Sequence, residues 1–376
     1  MPPTPIALVL SGGGARAAYQ VGALTALAEV APSLRLEIIT GVSAGAINAV
    51  ALAGGRGPLG TTARVLLRDW ERLRPRDIFT VRPFSLLGSA ARFAAHAVTG
   101  RRRGRPALRG LLDSSPLGRY LNRRVRFAGI ADNLAQGRLR AVALSATNYA
   151  DGATVTFVQG ADPVPTWTRA RRYAVPTPLT VNHVLASSAI PFIFPAVSLP
   201  GGYFGDGSVR QAAPLAPAIH LGARGIIAIG MRASAQGRPA VPDAAEYPSS
   251  AEVLGLLLHS VFVDALDADA ERLRRTNETL SQIPHQHRAA TGLREVALLL
   301  LQPSRDLGAM ARGYAVHLPP VLAAVMRAMG ARRARAADFV SYLMFEQPFT
   351  GDLLDLGYHD TLARRSAIET FMATDA

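Results

Sequence analysis

Three groups of residues in this chain have the types and spacing that hydrolytic chemistry uses. Ser43 stands in Gly41-Val42-Ser43-Ala44-Gly45, after an apolar run with Leu36, Ile38 and Ile39 and before the small, helix-compatible residues 46–53. Glycines two positions to either side of a serine permit a sharp strand-to-helix turn that exposes its hydroxyl as a nucleophile. The unpaired N–H groups of the helix start, beginning with Ala44, lie beside it. The second group, Ser11-Gly12-Gly13-Gly14-Ala15-Arg16, joins the apolar run Ile6–Leu10 to a helical pattern over residues 17–29. Consecutive glycines at 12, 13 and 14 let their N–H groups point into one concavity, as an anion or a developing oxyanion requires. Arg16 could orient that loop, favour negative charge beside it, or pair with a structural carboxylate. The third group is Asp206, in the glycine-lined Gly205-Asp206-Gly207-Ser208 after an aromatic strand.

Each group has a plainer reading. The serine pentapeptide alone is an ordinary turn in a chain with 34 glycines, and Asp206-Gly207 alone is a hairpin turn like the one expected at Asp151-Gly152. Gly12-x-Gly14-x-x-Ala17 also fits a loose dinucleotide fingerprint, but the next strand ends in Thr40-Gly41-Val42-Ser43 and lacks the ribose-binding carboxylate. A Walker-type loop fares worse, because the chain contains no lysine.

Taken in order, the motifs resemble those of the bacterial patatin-like phospholipases. The loop Ser11–Arg16 is similar to that family's oxyanion loop, and Gly41–Gly45 to its nucleophile elbow. Residues 186–195, Ala-Ser-Ser-Ala-Ile-Pro-Phe-Ile-Phe-Pro, are similar to its Ala-Ser-x-Ala-x-Pro-x-x-Phe-Pro block, and Asp206-Gly207 to its dyad aspartate. Two positions depart from the pattern: Ala17 replaces a glycine after the loop arginine, and Ser208 replaces the glycine or alanine usual after Asp-Gly. The resemblance implies hydrolysis of fatty-acyl esters of phospholipids or lysophospholipids without a metal or other cofactor. Ser43 would be the nucleophile, Asp206 the base, and Gly12, Gly13, Gly14 and Ala44 the oxyanion donors, with Arg16, Gly41, Gly45 and Gly207 in support. Two alternatives stay open. One is an α/β-hydrolase triad with His220, His259, His317 or His359 as base, and the other a catalytically silent regulatory or scaffold protein of the same fold.

The elements that must position these residues alternate between apolar strands and helical patterns. Helical segments are expected near 62–73 and 215–221, and strands at 139–147, 154–158 and 226–229. This rhythm implies a three-layer α/β fold with a mostly parallel sheet flanked by helices. A catalytic domain is expected over residues 5–235, a linker over 236–248, and a mainly helical C-terminal extension over 249–376 that carries one strand-like run, 296–301. The acids Asp264, Asp267, Asp269 and Glu271 read as a solvated helix face rather than a metal site.

Composition bounds the function. The chain has 376 residues, 49% of them hydrophobic, and no cysteine, which excludes a disulfide framework and a thiolate metal site. Its net charge of +14 comes from a basic set of 41 residues that is entirely arginine. With no recognition helix or aromatic RNA-binding pattern, nucleic-acid binding is not expected. No basic region precedes the first apolar run, so a cytoplasmic protein is expected. In residues 84–98, Phe84, Leu87, Ala91, Ala94 and Val98 share one helical face, and Arg101, Arg102, Arg103 and Arg105 follow. Residues 84–105 are thus expected to form a peripheral membrane contact or a lid. The oligomeric state is not legible.

Overall fold

The computed structural model describes residues 5–81, 110–234, 256, 260, 264–317 and 341–374. The amphipathic stretch and basic run of residues 84–105, the expected linker 236–248 and His259 lie outside the described residues.

The apolar runs at Ile6–Leu10 (β1) and Ile38–Val42 (β2) form strands buried along their whole length, as parallel strands covered on both faces must be. A short ladder of β3 (Thr80–Val81) and β4 (Leu112–Asp113) stands apart from the main sheet. The long hairpin β5 (Ala141–Asn148) and β6 (Thr154–Gly160) turns at Asp151-Gly152, with Gly152 in the left-handed region at φ 67°. Then come β7 (Thr168–Arg169), β8 (Arg172–Pro176), β9 (Val197–Leu199), β10 (Gly202–Asp206), β11 (Gly225–Ile229) and β12 (Ala297–Leu301). The order across the sheet is β12-β11-β1-β2-β5-β6-β8-β7, and the first five strands are mutually parallel. Helices α1 (Ala18–Val30), α2 (Ala44–Ala53) and α3 (Leu59–Arg72) join the helix Gln347–Ala363 over one face, while the helices Ala216–His220 and Ala265–Ser281 cover the other. Sheet and two helical layers give the three-layer α/β fold.

Two features of the C-terminal third differ from the sequence reading. The strand at Ala297–Leu301 is not confined to a helical extension: it pairs in parallel with β11 and continues the central sheet. Nor is the acidic face all solvated, because Asp269 is 7% exposed. Its Oδ2 accepts the Leu215 N–H at 2.9 Å, so the carboxylate ties the helix Ala265–Ser281 to the preceding layer. The helix Gln347–Ala363 also closes on α1. A Cβ at Gly22 would lie 1.9 Å from the Leu354 carbonyl oxygen, so only glycine permits that approach. Among the described residues, no helix is long and apolar enough to cross a membrane.

Candidate active site

Ser43 sits where β2 gives way to α2, with φ 55° and ψ −130°. A non-glycine residue held there stores strain that only a well-determined surround maintains. The surround is specific. A Cβ at Gly41 would lie 2.5 Å from the Gly45 carbonyl oxygen, and one at Gly45 would lie 2.4 Å from that of Leu10. Both glycines are therefore needed to fold the turn tightly and seat it against the end of β1. The Ser43 N–H donates to Ser187 Oγ at 3.0 Å, and Ser187 Oγ donates in turn to the Ser145 carbonyl at 2.7 Å. Ser188 Oγ donates to the Ser43 carbonyl at 3.0 Å. With these side chains against it the serine is buried, 2% exposed, instead of standing open at the turn.

The glycine loop runs beside the elbow, from the end of β1 into a 3-10 turn, Gly14–Ala17. Both of its ends are tied. The Ser11 N–H and hydroxyl donate to the Ile229 carbonyl at 3.4 and 3.1 Å, and the Ala15 N–H donates to the Tyr342 carbonyl at 2.9 Å. Between them, the N–H groups of Gly12, Gly13 and Gly14 have no backbone acceptor among the described residues. Gly14 has φ 56°, and a Cβ there would lie 2.1 Å from the Tyr342 carbonyl oxygen. Arg16, 1% exposed, donates from Nε to Ser341 Oγ at 2.7 Å and lays its guanidinium 4.2 Å from the Tyr342 ring centroid. These contacts tie the loop to the C-terminal third of the chain.

Strand register explains how an aspartate more than 160 residues downstream reaches Ser43. β2 pairs with β5 as far as Val42 opposite Ser145, and antiparallel β10 takes over the same edge of β5, with Asp206 opposite Ala146. The two strands meet end to end, so the residue after β2 and the last residue of β10 converge. Gly207 closes the junction: a Cβ on it would lie 2.2 Å from the Ser145 carbonyl oxygen and 2.7 Å from Val42 Cγ2. The Asp206 N–H donates to the Ala189 carbonyl at 2.9 Å, and its own carbonyl accepts from Thr147 Oγ1 at 2.8 Å.

The Asp206 side chain is completely buried. Oδ1 accepts the Ser208 N–H at 2.9 Å, while Oδ2 has no hydrogen-bond partner among the described residues. Burial pushes its pKa up from 3.8 to about 7, against the opposing pull of the Ser43 hydroxyl and Ser208. Ser43 is thus near enough to favour the carboxylate, although its hydroxyl makes no hydrogen bond of ordinary geometry to Oδ2. The departures from the family pattern do not disturb this arrangement. Ser208 supplies its backbone N–H, and Ala17 is fully buried with its carbonyl accepting from Asn48 Nδ2 at 3.2 Å.

Several residues around the site carry no local sequence signal. Gln20 Nε2 donates to the Ser11 carbonyl at 2.8 Å, Asn48 Nδ2 donates to Gln20 Oε1 at 2.9 Å, and Trp70 Nε1 donates to Asn48 Oδ1 at 2.9 Å. This buried chain runs from α3 through α2 and α1 to the first residue of the glycine loop. On the other side Tyr149 stacks on Gly205, since a Cβ there would lie 2.0 Å from its hydroxyl oxygen. Burial and the neighbouring Asp206 raise the pKa of that phenol. A glutamine six residues after the last loop glycine and an asparagine five after the serine are the only clues in the sequence. Of the histidines considered as a triad base, the two whose side chains are described, His220 and His359, do not converge on Ser43. His220 stacks on Trp167 near the end where the parallel strands begin, and exposed His359 bonds the Asp355 carbonyl on its own helix. His259 and the side chain of His317 lie outside the described residues.

A mostly parallel sheet sandwiched by helices, with a strained serine turn at the end of one strand and a buried aspartate delivered by an antiparallel neighbour, defines the class of the protein. The chain belongs to the patatin-like phospholipase family, whose model matches residues 8–219. No curated protein matches it. Among solved structures it is similar to human GIVD cytosolic phospholipase A2 in complex with methyl gamma-linolenyl fluorophosphonate, at 15% identity and a TM-score of 0.43 over 99% of this chain and 59% of that one. It is also similar to the type III effector ExoU, at 16% identity and a TM-score of 0.34 over 91% of this chain and 54% of that one. VipD from Legionella pneumophila matches at 13% identity and a TM-score of 0.29, over 94% and 67%. The chain thus spans about three-fifths of the phospholipase A2 structure, and the family assignment rests on the sequence model.

Proposed function

We propose that this protein hydrolyses fatty-acyl esters of phospholipids or lysophospholipids through an acyl-enzyme on Ser43. Asp206 accepts the serine proton as Oγ attacks the ester carbonyl. The N–H groups of Gly12, Gly13 and Gly14, with that of Ala44 at the start of α2, hold the oxyanion. Collapse of the tetrahedral adduct expels the alcohol, which takes the proton back from Asp206. Water then attacks the acyl-enzyme, giving up a proton to Asp206, and that proton passes to Ser43 Oγ as the fatty acid leaves.

The observation that carries this reading is the end-to-end meeting of β2 and β10 on β5, which converges the strained serine and the buried carboxylate. An ordinary aspartate is a weak base for a serine, and burial answers that weakness by raising the carboxylate to about 7. Lipid contact through residues 84–105 belongs to the same proposal. Incubation with a panel of lysophosphatidylcholine, phosphatidylcholine, phosphatidylglycerol and triacylglycerol, with mass spectrometry of the products, tests it. Fatty acid should be released from at least one phospholipid by the wild-type chain and from none by Ser43→Ala. Release unaffected by that change would remove Ser43 from the mechanism.

A further inference from the structure

A cleft of about 510 Å³ opens at the other end of the sheet from Ser43, between the helices Ala216–His220 and Ala265–Ser281 and the segment that leads into β12. Its floor is apolar: Leu215, Leu273 and Val296 are buried beneath it, and Leu293, 56% exposed, stands at its edge. Its rim is cationic, with Arg169, Arg272 and Arg294. The volume is that of a small-molecule site, and the lining combines an apolar floor with a charged rim.

The charges on this rim are not balanced from within. Among the described residues Asp269 is the only carboxylate lining the cleft, and both of its oxygens are engaged, one by Arg272 Nη1 and the other by the Leu215 N–H, each at 2.9 Å. Arg294 donates to the Ile219 carbonyl and Arg169 to that of Thr168, neutral acceptors that leave the charge of each guanidinium in place. Among the described residues neither has a carboxylate within ion-pair distance. Arg172 and Arg224 add further positive potential, the first at His220 and the second at Arg294. Burial, then Arg169, Arg172 and Arg294, hold the His220 pKa below its usual range, so the imidazole stays neutral and the arginines dominate the field. Like charges gathered around an apolar slot repel one another until an anion with its own apolar body occupies it.

We infer that this cleft is a second ligand site, distinct from Ser43, that binds a single-chain amphipathic carboxylate, with the head between Arg169 and Arg294 and the chain along Ile219, Leu273 and Leu293. A fatty acid, the acid released by the reaction proposed above, belongs to this class, but the site does not depend on that reaction.

Isothermal titration of the purified chain with sodium laurate below its micelle concentration tests the inference, with inorganic phosphate and dodecyl maltoside as controls for charge without chain and chain without charge. Laurate should bind and both controls should bind far more weakly. Arg169→Ala with Arg294→Ala should weaken laurate by roughly tenfold or more, the loss expected for charge-assisted hydrogen bonds to a carboxylate. Leu293→Asp, an exposed position that leaves the core intact, should weaken laurate while both arginines remain. Circular dichroism and denaturation midpoints identify any variant whose loss reflects unfolding. Absence of laurate binding, binding unchanged in the folded arginine pair, or phosphate or dodecyl maltoside binding as tightly as laurate would each overturn the inference.

Discussion

Replacing Asp206 by asparagine should abolish turnover and stabilise the fold, and the second effect follows from the burial of the carboxylate. The native side chain has a pKa of about 7 against 3.8 for the free group, so between those values the folded chain binds a proton that the unfolded chain has released. The sign follows: this group favours the fold fully below about pH 4, loses that advantage as the pH rises, and reaches a constant deficit above about pH 7. The interval corresponds to about 4 kcal/mol, a ceiling that relaxation of the pocket reduces. Asparagine is nearly isosteric and never ionises, so it avoids the deficit and lacks the proton acceptor. Denaturant unfolding of wild type and Asp206→Asn from pH 4 to 9 should show two curves that nearly coincide at low pH and separate through neutrality, with the variant the more stable. A variant no more stable than wild type at pH 8 would refute the argument that burial raises this pKa. The rate of ester hydrolysis should rise through pH 7 as Asp206 ionises. That limb overlaps the histidine range, so alanine at His220, His259, His317 and His359 in turn, and not the pH profile, separates dyad from triad: the dyad predicts that each folded variant keeps its activity.

Ser43→Gly should be more stable than Ser43→Ala by about 1 kcal/mol in unfolding experiments, because glycine relieves the backbone strain at φ 55° and alanine retains it. Gly14→Ala should reduce kcat by about 10²–10³, or prevent folding, since its Cβ collides with the Tyr342 carbonyl and displaces the oxyanion donors. Asn48→Ala, followed by denaturant unfolding, should cost about 1–3 kcal/mol by orphaning Gln20 and Trp70. It should also lower kcat with little change in KM, because the Ser11 carbonyl loses its support.

Legibility in the sequence followed the range of the interactions. The serine elbow and glycine loop were readable because their conformations are demanded locally: Gly41, Gly45 and Gly14 each occupy a place where a Cβ would strike backbone. The parallel strands were readable because burial on both faces leaves uninterrupted apolar runs. Asp206 was not readable from its own turn, which looks like any Asp-Gly hairpin. Its position depends on the pairing of β10 with β5, and only the resemblance of the whole motif order picked it out. The same applies to Ser187 and Ser188, whose hydrogen bonds to Ser43 span more than 140 residues of chain. Arg16 was visible as a candidate, but its partners Ser341 and Tyr342 lie in the C-terminal third, and so does the edge strand β12, legible as a strand but not as part of the sheet. Asp269 reads as one of four solvated acids until a neighbouring helix brings the Leu215 N–H over it.

The pairing of Ser43 with Asp206 as a working nucleophile and base is tested most directly by an alkyl fluorophosphonate, which phosphonylates a serine only when its hydroxyl is activated. After reaction near pH 8, peptide mass spectrometry should find one modified residue per chain, Ser43, with labelling and lipid hydrolysis lost together in the folded Asp206→Asn variant. A modified residue elsewhere, or Asp206→Asn labelling at the wild-type rate, would contradict the account.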